Sequence, residues 1–252
     1  MSVRWHSQGM SDVPANDGWL SPGEARWVAR MRFPKRRSEF RLGRWTAKQA
    51  LALSLGRPRS RDEDLRAIEI DRAPDGAPSP LVEGRPAPAA ISMTDRADQA
   101  VCVVGPPGTS LGCDLELVEP RSDSFVADYL TARERRIVDD ATTEEERHLL
   151  ANLIWCGKES ALKVLRTGLR RDTRSVEVAF PESPWVEEWA PLSVSPAERA
   201  VRPSPFPGWW RRWGAFLLTV VADRPFEPPR PLVEPPGLAT AVPTHDWLAP
   251  RG

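Results

Sequence analysis

The sequence predicts an α/β (α+β) fold built as two related halves, and three observations carry that expectation. Helix and strand signals follow one another in the order helix, helix, strand, then strand, helix, helix, strand. The two series meet near residue 108, inside the turn GPPGTS, 105–110. At 252 residues the chain is long enough for one large core or two of about 100 residues each, so folding needs no disulfide or metal staple. The expected division is 1–108, 109–224 and a proline-rich tail, 225–252, although no direct repeat shows between the halves.

The elements follow in chain order. Ser21-Pro22-Gly23-Glu24 is a capping box with proline at the first helical position, and it predicts a short helix over 22–31. KRRSEFRLGRWTAKQALALSLG places Phe40, Gly43, Ala47, Ala50, Leu51 and Ser54 at helical spacing and stops at Gly56. Residues 57–90, rich in proline and charge, predict a loop with IEID, 68–71, as a short strand. QAVCVV, 99–104, is the next strand. In LGCDLELVE, Leu111, Cys113, Leu115 and Leu117 alternate with Gly112, Asp114 and Glu116, so period 2 gives one apolar core face and one charged face. Thr131/Glu134 and Thr143/Glu146 are two more capping boxes, the second opening a helix to about 166. Its core stripe is Leu150, Ile154, Gly157, Ala161 and Val164 or Leu165. SVEVAF, 175–180, and WGAFLLTVVA, 213–222, close the pattern as strands.

Composition excludes several function classes. Lys plus Arg equals Asp plus Glu at 35 each, which argues against a whole-protein footprint for nucleic acid or membrane. Cys102, Cys113 and Cys156 are odd in number and lack CxxC spacing, so reduced thiols and a cytoplasmic protein are expected. The N-terminal stretch has no apolar leader region, and nothing approaches a membrane span. Trp27, Trp45, Trp209, Trp210 and Trp213 are expected to be packing residues rather than a partner surface. Residues 225–252 show no apolar periodicity and are read as an extended tail.

On the long helix, Trp155, Glu159 and Lys163 share one line beside the core stripe. Alone, a Glu-to-Lys pair four residues apart is an ordinary solvated contact. Asp114 and Glu116, however, are like charges on one strand face, and Gly112 beside them suggests an opening where something approaches the backbone. A divalent cation would relieve the repulsion. Magnesium takes a few carboxylates and completes its shell with water and phosphate oxygens, so Asp114, Glu116 and Glu159 with Lys158 or Lys163 predict phosphate chemistry.

LGCDLE followed by WCGKESALK resembles the paired signature of the Sfp-type 4'-phosphopantetheinyl transferases, (V/I)GxDxE and (W/F)xxKExxxK. KRRSEFRLGRWTAKQAL, DGAPSP and ISMTD resemble further segments of that family in the same order, across roughly residues 20–180. The resemblance implies a pseudo-dimer of two α/β halves with the site at their interface, acting as a monomer. It implies that Asp114, Glu116 and Glu159 hold Mg2+ on the pyrophosphate of coenzyme A. Glu159 would take the proton from a carrier-protein serine, with Lys163 and Lys158 on the transferred phosphoryl group. Arg36 and Arg44 match arginines on the 3'-phosphate of coenzyme A, with Arg37 their neighbour, Arg72 a further candidate, and Thr94 and Asp95 in the ISMTD element. The implied activity is that of a holo-[acyl-carrier-protein] synthase, modifying carriers of fatty-acid, polyketide or nonribosomal-peptide type and so serving secondary metabolite biosynthesis.

The family's fourth element ends in histidine where this chain has Asp95. A carboxylate facing a phosphate replaces attraction by repulsion, about 4 kcal/mol for unit charges at about 4 Å and an effective dielectric of about 20. Three outcomes follow: Asp95 pairs with Arg96 or Arg36, the cofactor lacks its 3'-phosphate, or transfer is lost. Persistence of transfer is the reading adopted. A non-catalytic carrier-protein or nucleotide binder is the alternative, and a Mg2+-dependent phosphohydrolase a third.

Overall fold

A computed structural model of the chain describes residues 1–181, 188–197 and 204–244. The fold is mixed α+β and divides into two units: Met1–Thr109 with Pro229–Ala241, and Ser110–Pro228 with the residues from Val242.

The first unit begins with strand β1 (Arg4–Gly9), helices α1 (Pro22–Arg30), α2 (Pro34–Ser54) and α3 (Asp62–Arg66), then strands β2 (Ile68–Arg72), β3 (Pro78–Val82), β4 (Arg85–Pro86), β5 (Ala90–Arg96) and β6 (Gln99–Gly105). Strands β1 and β5 flank β6 in one antiparallel sheet, while β2, β3 and β4 form a second. Helix α2 buries Ala47, Ala50 and Leu51 in one cluster with Ile91, Cys102 and Val104 of β5 and β6. It ends before Gly56, whose φ of +63° is the left-handed conformation that suits glycine after a helix.

The structure adds elements that the sequence hides. RWHSQG has one large apolar residue and so no visible alternation, yet it pairs with β6 from Arg4↔Val104 to Gly9↔Gln99. Residues 57–90, expected as a loop, contain α3, β3 and β4. Pro78 and Pro80 argue against a strand on sequence grounds, but β3 pairs with β2 throughout.

The second unit contains β7 (Leu111–Leu117), α4 (Asp123–Tyr129), α5 (Ala132–Asp139), α6 (Glu144–Val164), β8 (Val176–Ala179), β9 (Ala190–Pro196), β10 (Phe206–Trp213) and β11 (Phe216–Ala222). Its sheet has the order β7-β11-β10-β9-β8, entirely antiparallel. Helix α6 lies across this sheet and buries almost every residue from Leu149 to Leu162. Two sequence readings change here. The charged face of β7 is not solvated: Asp114 is 4% exposed, because α6 covers it. Nor does Gly112 make an opening for a ligand, since a Cβ there would lie 1.8 Å from the Ser160 carbonyl oxygen, so glycine lets the helix touch the strand. Thr143 accepts the Glu146 N–H, but the Glu146 carboxylate turns to Thr142, so this third cap is not reciprocal.

The proline-rich segment after 225 is extended but not detached. Strand β12 (Arg230–Pro231) runs parallel to β1, Leu238 is buried, and its N–H donates to the Ser7 hydroxyl at 3.1 Å. Residues 245–252 lie outside the described residues. Of the tryptophans, Trp210 and Trp213 are buried as expected. Trp27 is 53% exposed, contrary to its expected packing role.

Candidate active site

Strand β7 and helix α6 bring four of the expected groups together in the second unit. Asp114 accepts from Lys163 Nζ at 2.9 Å and shares a side-chain hydrogen bond with Glu159. Lys163 also donates to the Cys113 carbonyl at 2.7 Å, which anchors the helix to the strand. Burial, and then the Asp114 charge, push the Glu159 carboxyl up to about 8, against the pull of Lys163. Burial alone would lower Lys163, but Asp114 and Glu159 outweigh it and hold the ammonium above its ordinary range. Glu159 therefore exchanges a proton near neutral pH beside a permanent cation, the property that a general base needs.

Glu116 is held from two sides. Its Oε2 accepts from Arg121 at 3.0 Å and its Oε1 from Trp155 Nε1 at 2.9 Å. Arg121 is itself fixed, because its Nε donates to Asn152 Oδ1 at 2.7 Å while Asn152 Nδ2 donates to the Glu119 and His148 carbonyls. The guanidinium lies 4.7 Å from the Phe125 ring, and Phe125 and Tyr129 pack edge-on to Trp155. Sequence reasoning missed Arg121 and Asn152. Their only signal is a cation five residues after Glu116 and an amide one helical turn before Cys156.

Among the described residues, no three His, Cys, Asp or Glu side chains form a metal cage as they stand. The donor chemistry nonetheless suits Mg2+: these are hard carboxylate oxygens, and this ion needs only one or two of them when phosphate oxygens complete its shell. Asp114 and Glu159 are the fitting pair, since a cation would replace the proton they share. Glu116 is adjacent but already engaged by Arg121 and Trp155.

Lys158, expected on the phosphoryl group, is placed elsewhere. It is fully buried, and its Nζ donates to Glu134 Oε2 at 2.7 Å and to the Thr173 and Val176 carbonyls at 2.9 and 2.5 Å. Its three donors are all used, so it is not available to a ligand. Burial lowers its pKa and Glu134 opposes that shift.

The same construction recurs in the first unit. Lys48, fully buried, bonds Glu24 Oε2 at 2.5 Å and the Trp19 and Leu65 carbonyls at 3.0 and 3.1 Å. In both units the acid is the third residue of a reciprocal capping box, and its Oε2 also accepts the cap N–H of Ser21 or Thr131. In both, its Oε1 accepts a strand N–H, from Ile70 of β2 or Val178 of β8. Acid and lysine are equally far apart in sequence in the two units, and a tryptophan, Trp45 or Trp155, stands three residues before each lysine. The position of Glu159 is Gln49 in the first unit, and that of Lys163 is Leu53. The two units thus share one clamp, and the first has no counterpart of Glu159 and Lys163.

The expected cofactor residues of the first unit line two cavities. Thr94 and Asp95 line one of about 220 Å³ with Gly43, Gly76 and Pro78. Arg36 lines another of about 370 Å³ with Trp27 and Phe33. Arg44 and Arg72 line both. Arg44 is tied down, 4.3 Å from the Phe40 ring and 3.9 Å from Glu24, and burial lowers its pKa. Arg37 lines neither cavity and donates to the Met31 carbonyl at 2.9 Å.

No curated protein matches the chain. Residues 110–192, the stretch that carries β7, α6 and the Asp114, Glu116, Glu159 and Lys163 cluster, match the family model of the 4'-phosphopantetheinyl transferase superfamily, a superfamily of transferases that act on carrier proteins.

Proposed function

We propose that this protein transfers the 4'-phosphopantetheine group of coenzyme A to a serine hydroxyl of an acyl or peptidyl carrier protein, as a Mg2+-dependent holo-[acyl-carrier-protein] synthase of Sfp type. The observation that carries this reading is the buried cluster of Asp114, Glu159 and Lys163, with Glu159 raised to about 8, inside the matched segment. Mg2+ held by Asp114 and Glu159, with Glu116 alongside, would neutralise the pyrophosphate oxygens. Glu159 accepts the serine hydroxyl proton as that oxygen bonds to the β-phosphorus. The bond from this phosphorus to the bridging oxygen breaks, and 3',5'-ADP leaves with the electron pair. Lys163 supplies positive charge to the phosphoryl group in flight. The protein contributes positioning and charge neutralisation, which phosphoryl transfer requires above all.

Arg44 and Arg72, with Thr94, suit the 3'-phosphate end of coenzyme A in the cavity of about 220 Å³. Asp95 is exposed on that cavity and adds a negative charge where the family carries histidine. Weaker discrimination between coenzyme A and 3'-dephospho-coenzyme A follows. Steady-state kinetics on both cofactors measure it, and a strong preference for the 3'-phosphate form would refute it. The protein acts as a monomer in the cytoplasm, where Cys102, Cys113 and Cys156, all buried and outside any disulfide, stay reduced. No helix among the described residues is long and apolar enough to cross a membrane.

Intact-mass spectrometry tests the main reading. The chain is incubated with coenzyme A, Mg2+ and apo carrier proteins of fatty-acid, polyketide and nonribosomal-peptide type. Addition of one phosphopantetheine to a carrier is expected. Folded protein that modifies none of them would refute transfer and favour the alternative that Asp95 suggests, a carrier or nucleotide binder without transfer.

A further inference from the structure

The two carboxylates of β7 each meet a cation of the second unit, but the two pairings are built differently. Asp114 meets the Lys163 ammonium, a compact charge on a flexible stem. Glu116 meets Arg121, whose rigid fork is held from several sides. Arg121 Nη2 donates to Glu116 Oε2 at 3.0 Å, its Nε donates to Asn152 Oδ1 at 2.7 Å, and its Nη1 lies 3.7 Å from Glu119 Oε1. The Phe125 ring covers one face of the guanidinium. Asn152 is fully buried and spends its amide hydrogens on the Glu119 and His148 carbonyls, so only its oxygen is left for Arg121. The second Glu116 oxygen takes the indole N–H of Trp155, a buried residue. Turning Glu116 toward a ligand would deprive both a mostly buried guanidinium and a buried indole of their acceptor, and such groups are costly to leave unpaired.

We propose that Arg121 is a positioning residue that withholds Glu116 from the divalent cation and so keeps the cation affinity of Asp114 and Glu159 low. The proposal rests on the part of the transferase reading that places a cation on those two carboxylates. Opposite charges 3.0 Å apart largely cancel at a distance, so the site presents the charge of two carboxylates rather than three. Magnesium sites that receive a phosphate use one or two carboxylates and leave the remaining positions to water and phosphate oxygens. A third carboxylate would hold the cation more tightly and leave less of its charge for the substrate. Arginine suits the restraint because it stays charged at any working pH and its planar fork fixes the carboxylate that it pairs with. Without Arg121, Glu116 and Asp114 are uncompensated like charges on one strand face, a repulsion that a divalent cation relieves.

Mn2+ binding to the full chain, without coenzyme A or carrier, tests the restraint. Mn2+ shares the octahedral oxygen chemistry of Mg2+, and its aqueous form is counted by electron paramagnetic resonance. Arg121→Leu should bind Mn2+ at least tenfold more tightly than the wild type. Arg121→Lys, which keeps the charge, should stay within threefold of the wild type. The double variant Glu116→Gln/Arg121→Leu, which removes both members of the pair, should do the same. Adding Glu159→Gln to Arg121→Leu should abolish the gain, and a gain that persists would place the cation elsewhere and overturn the proposal. An unchanged Kd in Arg121→Leu, with only a lower melting temperature, makes Arg121 a structural residue and overturns it as well. At least tenfold weaker binding in the double variant does so too, since Glu116 would then be a ligand. If Arg121→Leu does not fold, the double variant and Arg121→Lys decide by the same limits. Transfer is scored separately: a chain that modifies no carrier refutes the transferase reading, while the Mn2+ comparison still upholds or rejects the restraint. No Mn2+ binding by the wild type or by Arg121→Leu rejects the restraint outright.

Discussion

At the scale of single residues, the proposed chemistry centres on Glu159. Its carboxyl is raised to about 8 from an ordinary 4.5, so the folded chain binds a proton there that the unfolded chain has released. Without a divalent cation the contribution of this group to stability is present at low pH and is lost as pH rises from 4.5 through 8. Glu159→Gln should therefore raise the melting temperature of the metal-free protein at pH 8. It should also abolish the rise that Mg2+ gives the wild type and lower kcat at least a hundredfold, as loss of a general base does. Differential scanning fluorimetry and single-turnover kinetics check the two halves of this prediction.

His6 gives the opposite sign. Burial first, and then the Arg59 charge, lower it from 6.5 to about 4, so the unfolded state binds the proton more readily. Stability is full above pH 6.5 and falls as pH drops toward 4, by about 3 kcal/mol for such a shift. Urea titrations between pH 7 and 4 should show this slope, and His6→Gln should flatten it.

At the scale of elements, the buried lysine clamps join each long helix to its capping box and to a strand. Removing one member of a buried pair leaves an uncompensated charge. Lys158→Met should therefore cost about 3–5 kcal/mol in urea unfolding, and Lys48→Met a similar amount. Neither should change KM for coenzyme A in the folded fraction. A rise in that KM for Lys158→Met would return Lys158 to the ligand site. The contact of β7 with α6 is equally tight at Gly112, where an added Cβ has no room beside the Ser160 carbonyl. Gly112→Ala must push helix from strand and separate Asp114 from Glu159. A loss of about 3 kcal/mol or more is expected, at the upper end for overpacking, together with loss of transfer.

Sequence legibility divides along the same lines. Helices α1, α2 and α6 and strands β6, β7 and β11 were readable because periodicity and caps are local. Strands β1 and β3 were not, because RWHSQG lacks alternation and PSPLV carries two prolines; partner strands hold both in place. Within the site, Asp114, Glu159 and Lys163 were readable from spacing. Lys158 was misread, because a lysine between Gly157 and Glu159 gives no sign of whether it faces solvent or Glu134.

At the scale of the whole molecule, the chain's return matters. Residues 229–241 leave the second unit and complete the first, through β12 beside β1 and Leu238 against Ser7. Ending the chain at residue 228 would strip β1 of an edge partner and expose a buried leucine. Proteolysis of the truncated chain should start in the first unit while the second remains resistant, and equal resistance of both units would contradict this. The shared clamp also explains why two halves of one construction escape notice in sequence. Conserving a fold needs only a few buried partners in the same geometry, while Gln49 and Leu53 replace the chemical groups.

The sequence by itself determined the helix and the strand that bear Asp114, Glu159 and Lys163, since period, caps and spacing act over a few residues. Only the tertiary structure decided that Lys158 is a clamp, that Gly112 admits a helix rather than a ligand, and that Glu116 answers to Arg121 and Trp155. Those outcomes depend on which surfaces meet across long separations, and burial then sets the charge and availability of each group.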